Sequence, residues 1–139
     1  MADLASICTA IAATLNSYYV AQGVSIQVYD DVPGQIAAPC IVVEPSEGEY
    51  HQTYGTAPTD HTIAVHVMFH QGDRRSAQMG LLPYISASGS KSIHAAIASD
   101  HTLGGVVHYA DARRYRDYGT RRYNEVDYLM ATVEVAILD

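Results

Sequence analysis

Five of the eight basic residues of this chain, Arg113, Arg114, Arg116, Arg121 and Arg122, fall within ten positions, interleaved with Tyr115 and Tyr118 and followed by Tyr123. Guanidinium groups grip carboxylates or phosphates through paired N–H donors and stack on aromatic faces, so this spacing suits recognition. With Asp117 counted, the window carries +4, which leaves −11 for the rest of a chain whose net charge is −7. Three readings are open. The cluster can be a solvated hairpin tip that needs no partner. It can be a DNA contact built from arginines and stacking rings, a reading opposed by the acidity of the rest of the chain. It can be a protein contact, since arginine and tyrosine are enriched at interface hot spots. The protein contact is the expectation. An identical copy carries both the basic cluster and the acidic stretch Glu44 to Glu49. Head-to-tail contact would then set Arg113, Arg114, Tyr115, Arg116, Tyr118, Arg121 and Arg122 against Glu47 and Glu49, and such a joint can close a ring.

Residues for catalysis are present, but not at spacings that catalysis needs. His66 and His70 share one strand face, yet four residues of strand separate them by about 13 Å, too far to hold one ion. His61, His94 and His108 complete no recognisable ligand spacing. No Gly-x-Ser-x-Gly elbow occurs, and Gly89-Ser90 lacks the preceding strand. Gly104-Gly105 is followed by no Lys-Ser or Lys-Thr to hold phosphate. Asp30-Asp31 sits in a turn, where carboxylates bond to backbone. The expectation is a non-enzyme with no catalytic residue, metal or cofactor.

The elements that must position the cluster are legible. Leu4, Ile7, Cys8, Ile11, Leu15 and Tyr18 form one helical stripe, capped by Asp3 and closed by Gly23. Val24, Ile26 and Val28 alternate as a strand, and a turn follows from Asp30 to Gly34. Cys40 to Val43 is a short apolar strand, which Pro45 is expected to stop. Ser46 to Asp60 then reads as a long polar loop, or as an arm whose Tyr50 and Tyr54 pack on a neighbour. His61 to His70 is the central strand, with Ile63, Val65, Val67 and Phe69 on one face. Gly72-Asp73 starts a helix from Arg74 to about Ser86, buried through Ala77, Leu81, Tyr84 and Ile85, which Pro83 should kink or break. A second helix spans Lys91 to Ser99. Val106 to Asp139 gives two long strands that pair antiparallel through a short link. The fold class is α+β: a mostly antiparallel sheet with helices on one face and a long C-terminal hairpin, in a single domain over residues 1–139.

Composition agrees with a folded domain: 48% apolar and 17% charged residues, ordinary for a globular chain. Cys8 and Cys40 read as free buried thiols. The start has no basic n-region, and no apolar run approaches the roughly 20 residues of a bilayer span, so neither leader nor membrane is expected.

The order and spacing of these features resemble the tail terminator proteins of long-tailed, siphovirus-type bacteriophages. The similar pattern begins with the amphipathic first helix and Tyr29-Asp30-Asp31-Val32-Pro33. It continues through Pro39, Ile41-Val42-Val43, and the long strand before Asp73-Arg74-Arg75-Ser76-Ala77-Gln78. Ser88 to Ile93, Thr102 to Val106 and the closing Val133-Glu134-Val135 complete it. This resemblance implies a virion subunit, assembled in the host bacterial cytoplasm, that forms a homohexameric ring. The ring would cap the head-proximal end of the tail tube and stop its polymerisation. Its implied partners are further copies of itself, the major tail tube protein and a head–tail connector or neck protein. Genomic DNA would pass the lumen without specific binding. A connector with the same ring symmetry is the alternative, and a small-ligand binding module the remote one.

Overall fold

The computed structural model describes residues 4–31, 38–49, 60–72, 74–123 and 125–138, without the side chain of Glu49. The expected caps at Asp3 and Asp73, the turn at Val32 to Gly34, and Tyr50 and Tyr54 lie outside these residues. Along the chain run α1 (Leu4–Gln22), β1 (Gln27–Tyr29), β2 (Cys40–Glu49), β3 (Asp60–His70), α2 (Arg74–Ile85), α3 (Ile93–Ser99), β4 (Tyr109–Tyr123) and β5 (Val126–Leu138). The strands form one sheet in the order β1-β2-β3-β5-β4. Only β1 and β2 run parallel; the other neighbours are antiparallel. The expected α+β fold and its long hairpin are both present.

Strand alternation decides which face is covered. Ile41, Val43, Ile63, Val65, Val67, Leu129, Ala131, Val133, Val135 and Ile137 share a core with the inner sides of all three helices. On the opposite, helix-free face, Cys40, Val42, Met68 and Tyr128 make a small second cluster. Cys8 and Cys40 are free and buried, one in each cluster. Burial pushes the Cys40 thiol up to about 11, and burial, then Asp30, Asp31 and Glu44, raise Cys8. Neither is a thiolate near neutral pH, so neither is poised as a nucleophile.

The first helix ends at a residue that needs left-handed backbone. Gly23 has φ 74°; its N–H donates to Val20 O, and the Val24 N–H donates to Tyr19 O, a Schellman closure. Because Val24 is committed to that closure, β1 begins only at Gln27, later than the alternation from Val24 suggested. The buried stripe also differs. Tyr19, not Tyr18, is the tyrosine in the core, at 1% exposure, and Leu4 is exposed. At 19 residues α1 is also long and apolar enough, by composition alone, to cross a bilayer. The apolar-run count did not anticipate this, and the core accounts for its buried side.

Two prolines behave otherwise than expected. β2 continues through Pro45 to Glu49, with a register shift between Pro45 and Glu47. β1 pairs only with Cys40 to Val42, so Pro45 lies where β2 is an edge, and an edge position tolerates the missing N–H. The long loop is shortened at its start accordingly. α2 likewise runs unbroken through Pro83 and ends two residues later, close to the terminus where a lost hydrogen bond matters least. α3 starts at Ile93 rather than Lys91, because the buried Ser92 is its N-cap and accepts from the Ala95 N–H at 3.1 Å. Ser92 Oγ also donates to Ser86 O at 2.5 Å, fastening α3 to the end of α2. The last pair of strands opens at Tyr109 rather than Val106, because residues 101–106 are turns. Gly104 and Gly105 supply their left-handed backbone there.

Candidate functional site

The arginine cluster is not gathered at the hairpin tip but runs along β4, the outermost strand, from Arg113 in mid-strand to Arg121 and Arg122 just before the turn. Arg113, Arg114, Tyr115, Arg116, Tyr118, Arg121 and Arg122 are spread along this edge, while the chain reverses between Tyr123 and Val126. Register shifts between Ala112 and Arg114 and between Arg116 and Gly119 interrupt the ladder. Bulges and charges of this kind discourage open-ended strand addition at an edge.

The arginines are held within the hairpin itself. Arg114 Nε donates to Glu134 Oε2 at 2.6 Å and Arg116 Nε to Glu134 Oε1 at 2.6 Å. Arg116 also pairs with Asp117, Arg121 with Asp117 at 3.5 Å, Arg122 with Asp127 at 3.1 Å, and Arg113 with Asp111 at 3.2 Å. Between Tyr109 and Leu138, Asp111, Asp117, Glu125, Asp127 and Glu134 match the five arginines, so the hairpin is neutral. A count over ten consecutive residues missed this because Glu134 reaches the arginines from the paired strand. Glu47, three strands away, still adds to the upward push on Arg114, whose first cause is its bond to Glu134.

Glu134 is the centre of this network. Bonding to Arg114 holds its carboxyl below the ordinary 4.5, against a burial effect of opposite sign. A depressed carboxylate stabilises the fold above its unfolded pKa and loses that contribution as pH falls through the folded value. Wild type should therefore lose stability below about pH 4.5, the ordinary carboxylate value. In Glu134→Gln the loss over that interval should be shallower, and thermal melts at stepped pH measure the difference. Superimposable profiles would mean the bridge contributes nothing.

A second polar chain crosses the helix-free face. His66 sits opposite Thr132 in the β3–β5 register, with Nδ1 at 2.8 Å from Thr132 Oγ1 and Nε2 at 2.7 Å from Glu44 Oε1. Both ring nitrogens therefore have a polar partner, one on each neighbouring strand. Carboxylate, imidazole and hydroxyl are the parts of a nucleophilic triad. Thr132, however, is only 4% exposed, which leaves its oxygen no room for a substrate. The arrangement works as a tie across three strands. His70 packs against the Tyr128 ring, 5.4 Å between centroids. Among the described residues, no three His, Cys, Asp or Glu side chains converge as they would around a metal. Asp30 accepts a side-chain bond from Thr9, which ties α1 to the end of β1.

On the helical face, α2, α3, β4 and β5 enclose a cleft of about 620 Å³. Leu82, Ile85, Ala112 and Val133 give it an apolar lining, Tyr115 forms one wall, and His94, Arg113 and Arg114 also line it. Sequence reasoning named three of these residues, as members of the basic cluster, but had no sign of the cleft. Its walls come from α2, α3, β4 and β5, elements far apart in the chain.

The fold and its surfaces thus define an α+β domain with an ion-paired edge hairpin beside an apolar cleft. Compared with known proteins, the chain matches no protein-family model and no curated protein.

Proposed function

We propose that this chain is a structural subunit of a bacteriophage tail: the terminator, which forms a homohexameric ring on the head-proximal end of the tail tube and stops its growth. What supports the reading is the ordered series of motifs along the chain, together with an α+β fold of the kind the resemblance implies. Within that fold, Tyr29-Asp30 closes β1, Ser88 to Ser92 forms the α2–α3 corner, and Thr102 to Val106 forms the turns before β4. These are corners that set the angles between elements, where residue type is most constrained by backbone geometry. The observation that carries it is the length and order of these motifs across nearly the whole chain. Its mechanism is steric. Each subunit contributes a weak contact, ring closure and docking on the last tube layer sum them, and the outward face then no longer matches an incoming tube subunit. Arg113, Arg114, Tyr115, Arg116, Tyr118, Arg121 and Arg122 belong to the assembly surface in this reading, with Glu47 and Glu49 on β2, beyond the stretch that β1 covers.

Electron microscopy of the purified protein mixed with tail tubes tests it. Rings on one end of each tube are the expected result. Rings on both ends or on neither, or a ring found only on heads, would refute termination and favour a connector.

A further inference from the structure

We infer that the cleft between α2, α3, β4 and β5 is a binding site for a small apolar carboxylate, a role separate from the ring-subunit reading above. The lining sets the body of the ligand. Leu82, Ile85, Ala112 and Val133 are aliphatic, and Tyr84 and Tyr115 add two rings. Polar atoms at the α2–α3 corner are already committed: Ser86 Oγ donates to Leu82 O at 2.9 Å, and Ser86 O accepts from Ser92 Oγ. That corner asks for no hydrogen bonds from an occupant. Tyr115 is 58% exposed, so a large ring stands in water beside apolar walls and gains by being covered. Size also fits. A cleft of about 620 Å³ lies within the roughly 300–1,000 Å³ of small-molecule pockets, which are mostly apolar with a few polar groups that fix orientation.

The head group follows from the charge that remains after pairing inside the chain. Arg113 bridges Asp111 and Arg114 bridges Glu134, so neither guanidinium selects a ligand. Lys91 and His94 differ: neither belongs to an ion pair among the described residues. His94 lines the cleft, and Lys91 Nζ lies 6.0 Å from the centroid of the Tyr84 ring, which lines it too. None of the described lining residues is an acid. Tyr84 supplies a further group. It is 4% exposed, its ring meets Tyr19 and Phe69, and its hydroxyl bonds to no other residue among those described. A hydroxyl set in an apolar wall gains from a strong acceptor, and an ammonium gains from a counter-charge. One carboxylate answers both. A polyanion would need more fixed cations than a single unpaired lysine provides.

Fluorescence titration of the full chain with two matched dyes tests the site. Anilinonaphthalene sulfonate has an aromatic body and one anionic group; phenylnaphthylamine has the same rings and no charge. The sulfonate dye should saturate a single site and bind at least about tenfold more tightly than the neutral one, the weight of one hydrogen bond to a charged group. Lys91→Gln should abolish that preference and leave the neutral dye unchanged, whereas Tyr115→Ala should weaken both. Lys91 and Tyr115 are exposed, so unchanged melting would show intact folding and exclude dye taken up by a loosened variant. Naphthoate and decanoate should compete with the sulfonate dye, and the stronger competitor identifies a ring or a chain as the preferred body. Displacement by neither would overturn the site. Equal affinity for the two dyes, or full preference retained in Lys91→Gln, would overturn it as well. Tube capping is read in a different assay, so the ring-subunit reading stands or falls separately.

Discussion

Replacing Tyr19 with alanine should cost about 3–5 kcal/mol, the range for removing a large buried aromatic. A domain of this size has only about 5–15 kcal/mol in total, so the variant should be partly unfolded at physiological temperature. Tyr19 is 1% exposed, meets the rings of Tyr18 and Tyr84 edge-on, and donates from its hydroxyl to Lys91 O at 3.1 Å. It therefore holds α1, α2 and the approach to α3 together. Tyr19→Phe keeps the ring and loses only the hydroxyl, so it should cost about 1 kcal/mol. Urea unfolding of both variants separates packing from hydrogen bonding. Equal losses would mean that the hydroxyl, rather than the packed ring, carries the residue.

The second large effect is expected at the His66 tie, and its signature is non-additivity. His66→Leu strips the buried Thr132 hydroxyl of its 2.8 Å partner and should cost about 1–3 kcal/mol, the penalty of an unsatisfied buried polar group. Thr132→Val should also destabilise, because it removes the partner of Nδ1. The double variant leaves no orphan in that pair. It should lose less than the two single changes together, by about 0.5–3 kcal/mol of coupling. A double-mutant cycle by urea unfolding measures this, and strict additivity would show that the chain of contacts carries no energy.

Much of the fold was legible because periodicity is a local signal. β3 was read with the correct faces, since Ile63, Val65, Val67 and Phe69 alternate without interruption, and β5 was read the same way from Leu129 to Ile137. Gly23 was recognisable because left-handed backbone after a helix strongly favours glycine. What failed depended on neighbours that a one-dimensional pattern does not contain. Tyr18 and Tyr19 are equivalent by composition, and only the position of Tyr84 on α2 selects Tyr19 for the core. Pro45 would end a strand that had partners on both sides, but β1 is too short to reach it, so β2 runs on through Pro45.

The candidate site was legible in content but not in form. Arginines and tyrosines crowded into ten residues pointed to a hairpin tip, and they are spread instead along the outer strand that leads up to it. Their neutralisation was hidden because Glu134 is twelve residues beyond Arg122 in sequence yet opposite Arg114 in the sheet. The cleft was invisible for the same reason, as four elements build it and none shows it alone.

Under the proposed function, the protein stops a polymer by occupying its growing end. Tail tube subunits polymerised with increasing amounts of the protein, and measured by electron microscopy, test that claim most directly. Mean tube length should fall steadily as the protein is added, with a ring at a single end of every shortened tube. Tubes of unchanged length at a saturating dose would contradict it.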